Sequence, residues 1–322
     1  MGTLYIFTAG TSLYTNLEKD NRAIPYKDFL DKWLANHSVE LLLADSPDIL
    51  EAANLMFTYY GKDNAQQSTA ELTSFFQLNL TNDDQVVLLS SDTKEGLFCA
   101  LVTAHLMSSP SAVEPVVLWD KPGTHTKSIN WRPLSATHAE KFTSRARPWV
   151  AVMRIPSLDP SKAEGFTNKA VGNLVLAMAR LVKYARGCSP ALEPVIVFTG
   201  GFKVSLPVLT QAAACLDGVP MFGLREDSDQ MITIPVLSME LSPRLVHGIL
   251  GWAWHAGRDL GGLTGADRKK LNDWAEATSR DYAELSGDLK PAFSKKDGNE
   301  VTLNILGEAL LAVILADLPV HL

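Results

Sequence analysis

Short apolar runs bounded by polar turns alternate with stretches of helical periodicity along most of this chain. Leu4 to Phe7 is an unbroken apolar run that reads as a buried strand, and the turn Thr8-Ala9-Gly10-Thr11-Ser12-Leu13 follows it at once. Phe29, Leu30, Trp33 and Leu34 stand at helical spacing, and Val39 to Leu43 fits either a strand or the start of a helix. Ser46-Pro47 opens a helical stretch through Leu55, with serine as N-cap and proline at the first helical position. Ser68-Thr69-Ala70-Glu71 has the form of a capping box ahead of Leu72, Phe75, Phe76 and Leu78.

The same rhythm continues. Val86 to Leu89 is a continuous apolar run, and Ser90-Ser91-Asp92-Thr93 then caps a helix bearing Leu97, Phe98, Leu101, Val102 and Leu106. Val116 to Trp119, Trp149 to Ile155 and Val195 to Phe198 read as strands, and Asn173 to Tyr184 as an amphipathic helix. A helix from Ser205 to Leu216 is closed by Gly218 at its C′ position, and the strands Val219 to Leu224 and Met231 to Leu237 follow. Strands alternating with helices predict an α/β fold with a mostly parallel sheet covered on both faces. In such sheets ligands bind outside the carboxyl ends of the strands.

Two regions break the rhythm. Residues 120–148 have little periodicity and carry Lys121, Lys127, Arg132, Lys141, Arg145 and Arg147. That segment reads equally as a lid over a ligand or as a solvated loop. From Ser242 helices run over Pro243 to Trp254 and Thr264 to Tyr282, before a polar hairpin at Asp297-Gly298, a returning strand Glu300 to Leu303 and a last helix from Leu306. This change of texture predicts two domains, 1–241 and 242–322, the second smaller, helical and winged-helix-like.

Composition narrows the classes. The chain has 322 residues, 46% apolar and 20% charged, with a net charge of −7, which fits a globular protein and argues against a broadly basic nucleic-acid coat. Cys99, Cys188 and Cys215 lack CxxC spacing, so neither a disulfide framework nor a thiolate zinc site is expected, and no cluster suggests a bound metal. Met1-Gly2-Thr3 leads directly into a strand without a signal-peptide pattern or myristoylation signal, and Leu303 to Leu318 is interrupted and too short to span a bilayer. The expected location is the cytoplasm.

Candidate chemistry gathers at two glycine turns. The second is Val197-Phe198-Thr199-Gly200-Gly201-Phe202-Lys203. Lys203 falls in the first turn of the following helix, where the macrodipole disfavours a cation. An anion cradled by backbone N–H groups there would explain it. The expectation is a phosphate-containing ligand between Gly10-Thr11-Ser12 and Gly200-Gly201-Phe202-Lys203.

Four stretches together resemble a known family. They are Gly10-Thr11-Ser12-Leu13 with Asn16; Ser91-Asp92-Thr93 with Gly96; Phe166 through Gly172-Asn173-Leu174-Val175; and Thr199-Gly200-Gly201-Phe202-Lys203, with Ile234-Pro235 beyond. Their order and spacing are similar to the CARF domain, the CRISPR-associated Rossmann fold, in the archaeal-type branch that includes ring nucleases. The chain departs from that pattern at Val197, where family members often carry asparagine.

The resemblance implies a Rossmann-like sheet over 1–241 and a homodimer that binds a cyclic oligoadenylate, above all cyclic tetra-adenylate, across its axis. It further implies a metal-independent ring nuclease, needing no cofactor, that switches off type III CRISPR antiviral signalling. The ribose 2′-OH attacks and leaves linear products with a 2′,3′-cyclic phosphate. Ser12 and Lys203 are then the catalytic candidates, with Gly10, Thr11, Leu13, Asn16, Ser91, Asp92, Thr93, Thr199, Gly200, Gly201 and Phe202 around the ligand. Bland readings stand beside these. Ser12 also suits an N-cap, Asp92 and Thr93 equally suit helix capping, and the glycines suit a turn needing positive φ.

No histidine lies beside either turn, so strong general acid–base catalysis is not expected. The spacing of Arg132 and His138 fits a HEPN ribonuclease motif only loosely, and it falls in the irregular segment. The alternative function is a sensor that binds the ring without cutting it and regulates transcription or a partner. Lys295-Lys296 would then mark a wing, although dimerisation or gating is favoured over DNA contact.

Overall fold

The computed structural model describes residues 2–17, 69–108, 117–120, 132–133, 149–159, 170–199, 206–225, 230–258, 265–278, 284–287, 289–295 and 300–317, with Leu260 and the helical positions Asp28, Asp31, Lys32, Leu34, Ala35, Glu51 and Leu55. The strand or helix start expected at Val39 to Leu43, most of 120–148, the Asp297-Gly298 turn and Gly200 to Lys203 lie outside the described residues.

The strands are β1 (Thr3–Thr8), β2 (Gln85–Ser90), β3 (Val117–Asp120), β4 (Arg132–Pro133), β5 (Trp149–Arg154), β6 (Glu193–Phe198), β7 (Met221–Arg225) and β8 (Gln230–Ile234). They form one sheet in the order β4-β3-β5-β2-β1-β6-β7-β8. The inner six strands run parallel, and the edge strands β4 and β8 are antiparallel to their neighbours. The expected mostly parallel α/β sheet is thus observed. Two details differ from the sequence reading. Arg132–Pro133, expected within an irregular loop, pairs with β3. The last strand stops at Ile234, before Pro235, whose missing N–H cannot extend a ladder.

Side chains alternate strictly between two cores, because successive Cβ atoms of a strand point to opposite faces. Leu4, Ile6, Val87, Leu89, Ala151, Met153, Ile196 and Phe198 face one apolar cluster. Phe7, Val86, Leu88, Val150, Val152, Val195 and Val197 face the other. Runs such as Val86 to Leu89 are apolar throughout because both faces are covered.

On the first face lie α4 (Val171–Gly187) and α5 (Leu206–Cys215). Helix α4 buries Val171, Leu174, Val175, Met178, Leu181, Val182 and Ala185, an i, i+3, i+4, i+7 stripe. Gly218, with φ of 69°, closes the chain after α5 in the left-handed conformation expected of it. On the second face lie α1 (Ser12–Leu17), α2 (Ala70–Gln77) and α3 (Lys94–Ser108).

Beyond Ser242, which caps α6 (Pro243–His255) by accepting from Leu245 N, come α7 (Gly265–Ala277), the hairpin β9 (Phe293–Lys295) and β10 (Val301–Leu303), and α8 (Ile305–Asp317). They enclose a third core that includes Ile249, Leu250, Leu271, Phe293 and Leu303. Helix α8 joins two cores. Its Ala309, Ala312 and Val313 pack into the sheet's first core, and its Leu310, Leu311 and Ile314 into the third. A helix apolar all round is what such a sandwiched position requires. Asn304 caps α8 through Gly307 N, and Arg258 grips Glu308 on it with two hydrogen bonds of 3.0 and 2.9 Å.

Candidate functional site

Strand order places the functional crevice. The chain passes from β1 to β2 on one side and returns with β6 on the other, so a topological switch point falls between β1 and β6. Their carboxyl ends carry the two turns. Thr199 is tied to β1 there: its Oγ1 donates to Thr8 O at 2.7 Å, and its N–H donates to Thr8 Oγ1 at 3.4 Å. The expected meeting of sequence segments almost two hundred residues apart is therefore real as far as Thr199. Gly200, Gly201, Phe202 and Lys203 lie outside the described residues.

The first turn carries a partner that sequence reasoning did not find. Gly10 N donates to Glu71 Oε1 at 2.8 Å, and Ser12 Oγ donates to Glu71 Oε2 at 3.0 Å. Glu71 is only 3% exposed. The capping box expected at Ser68 to Glu71 does not form as read. Thr69 is the N-cap, accepting from Leu72 N at 3.1 Å, and Glu71 turns away to reach the first glycine turn. The carboxylate thus engages two donors of the first turn, and a phosphate beside it would meet a like charge. Two like unit charges 4 Å apart repel by about 4 kcal/mol at an effective dielectric of about 20.

The middle motif divides its duties. Thr93 caps α3 by accepting from Gly96 N at 3.1 Å, and Ser91 Oγ lies 3.0 Å from Thr93 Oγ1. Asp92 instead forms an ion pair with Arg154 Nε and accepts from Ser157 N at 2.8 Å. Both partners come from the carboxyl end of β5, next to β2 in the sheet. Ser157 has φ of 64°, a left-handed conformation uncommon for a residue with a Cβ, and its N–H bond to Asp92 helps hold it. Asn173, from the third motif, donates through Nδ2 to Pro156 O at 2.8 Å and so ties α4 to the same loop.

The candidate residues therefore separate by environment. Gly10, Thr11, Ser12, Asp92 and Thr93 keep partial exposure along the strand ends, and Asn16 keeps it within α1. Leu13, at 1%, is a core residue of the second cluster, and Ser91 and Thr199 are buried. Val197, where the family pattern offers asparagine, is fully buried among apolar side chains. Arg154 and Ser157 join Glu71 as residues the sequence did not single out. A cation ending the apolar strand Trp149 to Met153 was the only local signal for Arg154.

The groups with displaced titration lie elsewhere. Burial pushes up the Tyr5 phenol, with Asp84 and Glu193 adding to the rise against a hydrogen bond from Thr3, and burial alone pushes up the Cys215 thiol. Among the described residues no group of histidine, cysteine, aspartate and glutamate is arranged to hold a metal, and no helix is long and apolar enough to cross a membrane.

Residues 133–237 match the family model described as CRISPR-associated protein (Cas_APE2256). That stretch, about a third of the chain, is similar to a CRISPR-associated family. That segment runs from β4 through β8 and includes the third and fourth motifs. The first and middle motifs precede it in sequence but join it in space, because β1 pairs with β6 and β2 with β5. No curated protein matches the chain.

Proposed function

We propose that this protein binds a cyclic oligoadenylate, most simply cyclic tetra-adenylate, and cleaves it as a metal-independent ring nuclease. The observation that carries the reading is the convergence of first-, middle- and third-motif residues and Thr199 on the carboxyl ends of β1, β2, β5 and β6. The CRISPR-associated segment supplies two of those four motifs and supports a role linked to type III systems.

In this reading the substrate brings its own nucleophile, the ribose 2′-OH, and the protein mainly positions it in line with the scissile phosphate. Attack forms the 2′-O–P bond, breaks the P–O5′ bond and yields a linear product ending in a 2′,3′-cyclic phosphate. Ser12 lies at the first turn for that task. Lys203 has the role of stabilising negative charge on the phosphate. A twofold ring suits a homodimer that presents the same residues from each subunit.

Incubation of the purified protein with radiolabelled cyclic oligoadenylates in EDTA tests the proposal. The expected result is a linear product with a 2′,3′-cyclic phosphate. An intact ring under single-turnover conditions would sink it. Lys203→Ala is expected to slow cleavage by at least 100-fold while changing affinity much less, the signature of an interaction made mainly in the transition state. A sensor that does not cut is the second reading. It is favoured by one feature: α8 of the C-terminal region packs on α4, whose first turn is tied to the site by Asn173.

A further inference from the structure

We propose that the C-terminal region holds a site for a single purine nucleoside, in the cavity between α6, α7 and the segment carrying Glu284, Ser286 and Leu289. The site takes no part in the cyclic oligoadenylate reading, so the two stand or fall separately.

The cavity measures about 380 Å³. Ligand pockets run from roughly 300 to 1,000 Å³, so this one is small. One nucleoside fills it, and a ring of four nucleotides does not enter. None of its lining residues comes from the eight-stranded sheet. Helix α6 supplies Arg244 and His247, which share a face at i, i+3, and α7 supplies Trp274. The imidazole of His247 lies flat on the Trp274 indole, with ring centroids 4.1 Å apart and planes 10° from parallel. Buried Leu289 adds an apolar wall.

Polar groups with unmet hydrogen bonds stand beside this aromatic pair. Ser286 Oγ is buried and has no hydrogen-bond partner. A buried hydroxyl left so is costly, and an occupant of the cavity would relieve it. Among the described residues, no hydrogen bond engages the His247 ring or the Trp274 indole N–H either. The occupant therefore needs a flat face for the rings and hydrogen-bonding atoms around its edge. A nucleobase has both. The indole is bicyclic, so a bicyclic purine overlaps it more fully than a pyrimidine does. Charge settles the rest of the ligand. Arg244 and Glu284 carry opposite signs, so the lining offers no cluster of cations for a phosphate chain. A neutral nucleoside suits it better than a nucleotide.

Isothermal titration of the full chain with adenosine, guanosine and uridine tests the proposal. One of the two purines is expected to bind about tenfold more tightly than uridine, and the non-cleavable 2′-fluoro analogue of cyclic tetra-adenylate should not displace it. Trp274→Ala should weaken that binding by about tenfold or more, the worth of one base stacked on an aromatic ring. Ser286→Ala should weaken it by about fivefold, the worth of one hydrogen bond. The same change should leave the thermal midpoint of the free protein level or raise it, because it removes an unpaired buried hydroxyl. It also keeps the test usable if loss of Trp274 impairs folding.

Absence of binding by both purines at millimolar concentration would overturn the inference. Uridine or indole binding as tightly as the purines would reduce the cavity to an apolar cleft and overturn it too. So would displacement by the fluoro ring, which would place the purine at the strand ends. A single-stranded oligoadenylate held through His247 and Trp274 more tightly than adenosine would assign the site to a nucleic-acid strand and likewise refute it.

Discussion

A methyl group added to Gly96 would lie 1.7 Å from Ser91 Oγ and 3.0 Å from Thr93 Oγ1, inside the cap that starts α3. No side chain fits there without displacing the Ser91 hydroxyl, so Gly96→Ala is expected to cost about 1–3 kcal/mol, the usual range for overpacking. Urea unfolding measures this. Adding Ser91→Gly should make the double variant more stable than the sum of the single losses, and strict additivity would refute the contact. Single residues are also where sequence reading was weakest. The partners of Asp92 and Glu71 lie 62 and 61 positions away along the chain. No local pattern encodes such pairs. Glu71 was misread for a physical reason: glutamate in the first turn of a helix suits a capping box, and Thr69 had taken the cap.

Elements were far more legible, because periodicity records burial. Continuous apolar runs marked the parallel strands, and polar residues at their carboxyl ends marked the crevice. The sandwiched helix α8 was harder, since uniform apolarity gives a helix no direction. Its Val313 is 3% exposed in the sheet's first core although it belongs to the C-terminal region. Val313→Ala is expected to lower stability by about 1.5–3 kcal/mol, the worth of burying such a side chain. A change below 0.5 kcal/mol in chemical denaturation would mean that α8 does not hold α4. Gly307 permits the close approach on the opposite side, where a Cβ would stand 2.1 Å from Ala292 O.

At the scale of the whole molecule, the sequence change near Ser242 coincides with the start of a third core, yet α8 belongs to that core and to the sheet's first core alike. Shared burial couples their stabilities. Thermal unfolding followed by far-ultraviolet circular dichroism and by tryptophan emission is therefore expected to show one transition. Trp149 reports on the sheet, and Trp252, Trp254 and Trp274 on the C-terminal region. Separated midpoints for the two signals would contradict the coupling. The position of α8 also bears on how the protein is made. A ribosome delivers β1 through α5 long before residues 305–317, so the outer flank of α4 meets solvent until α8 emerges. During that interval the nascent sheet is a natural client for chaperones that hold apolar surfaces.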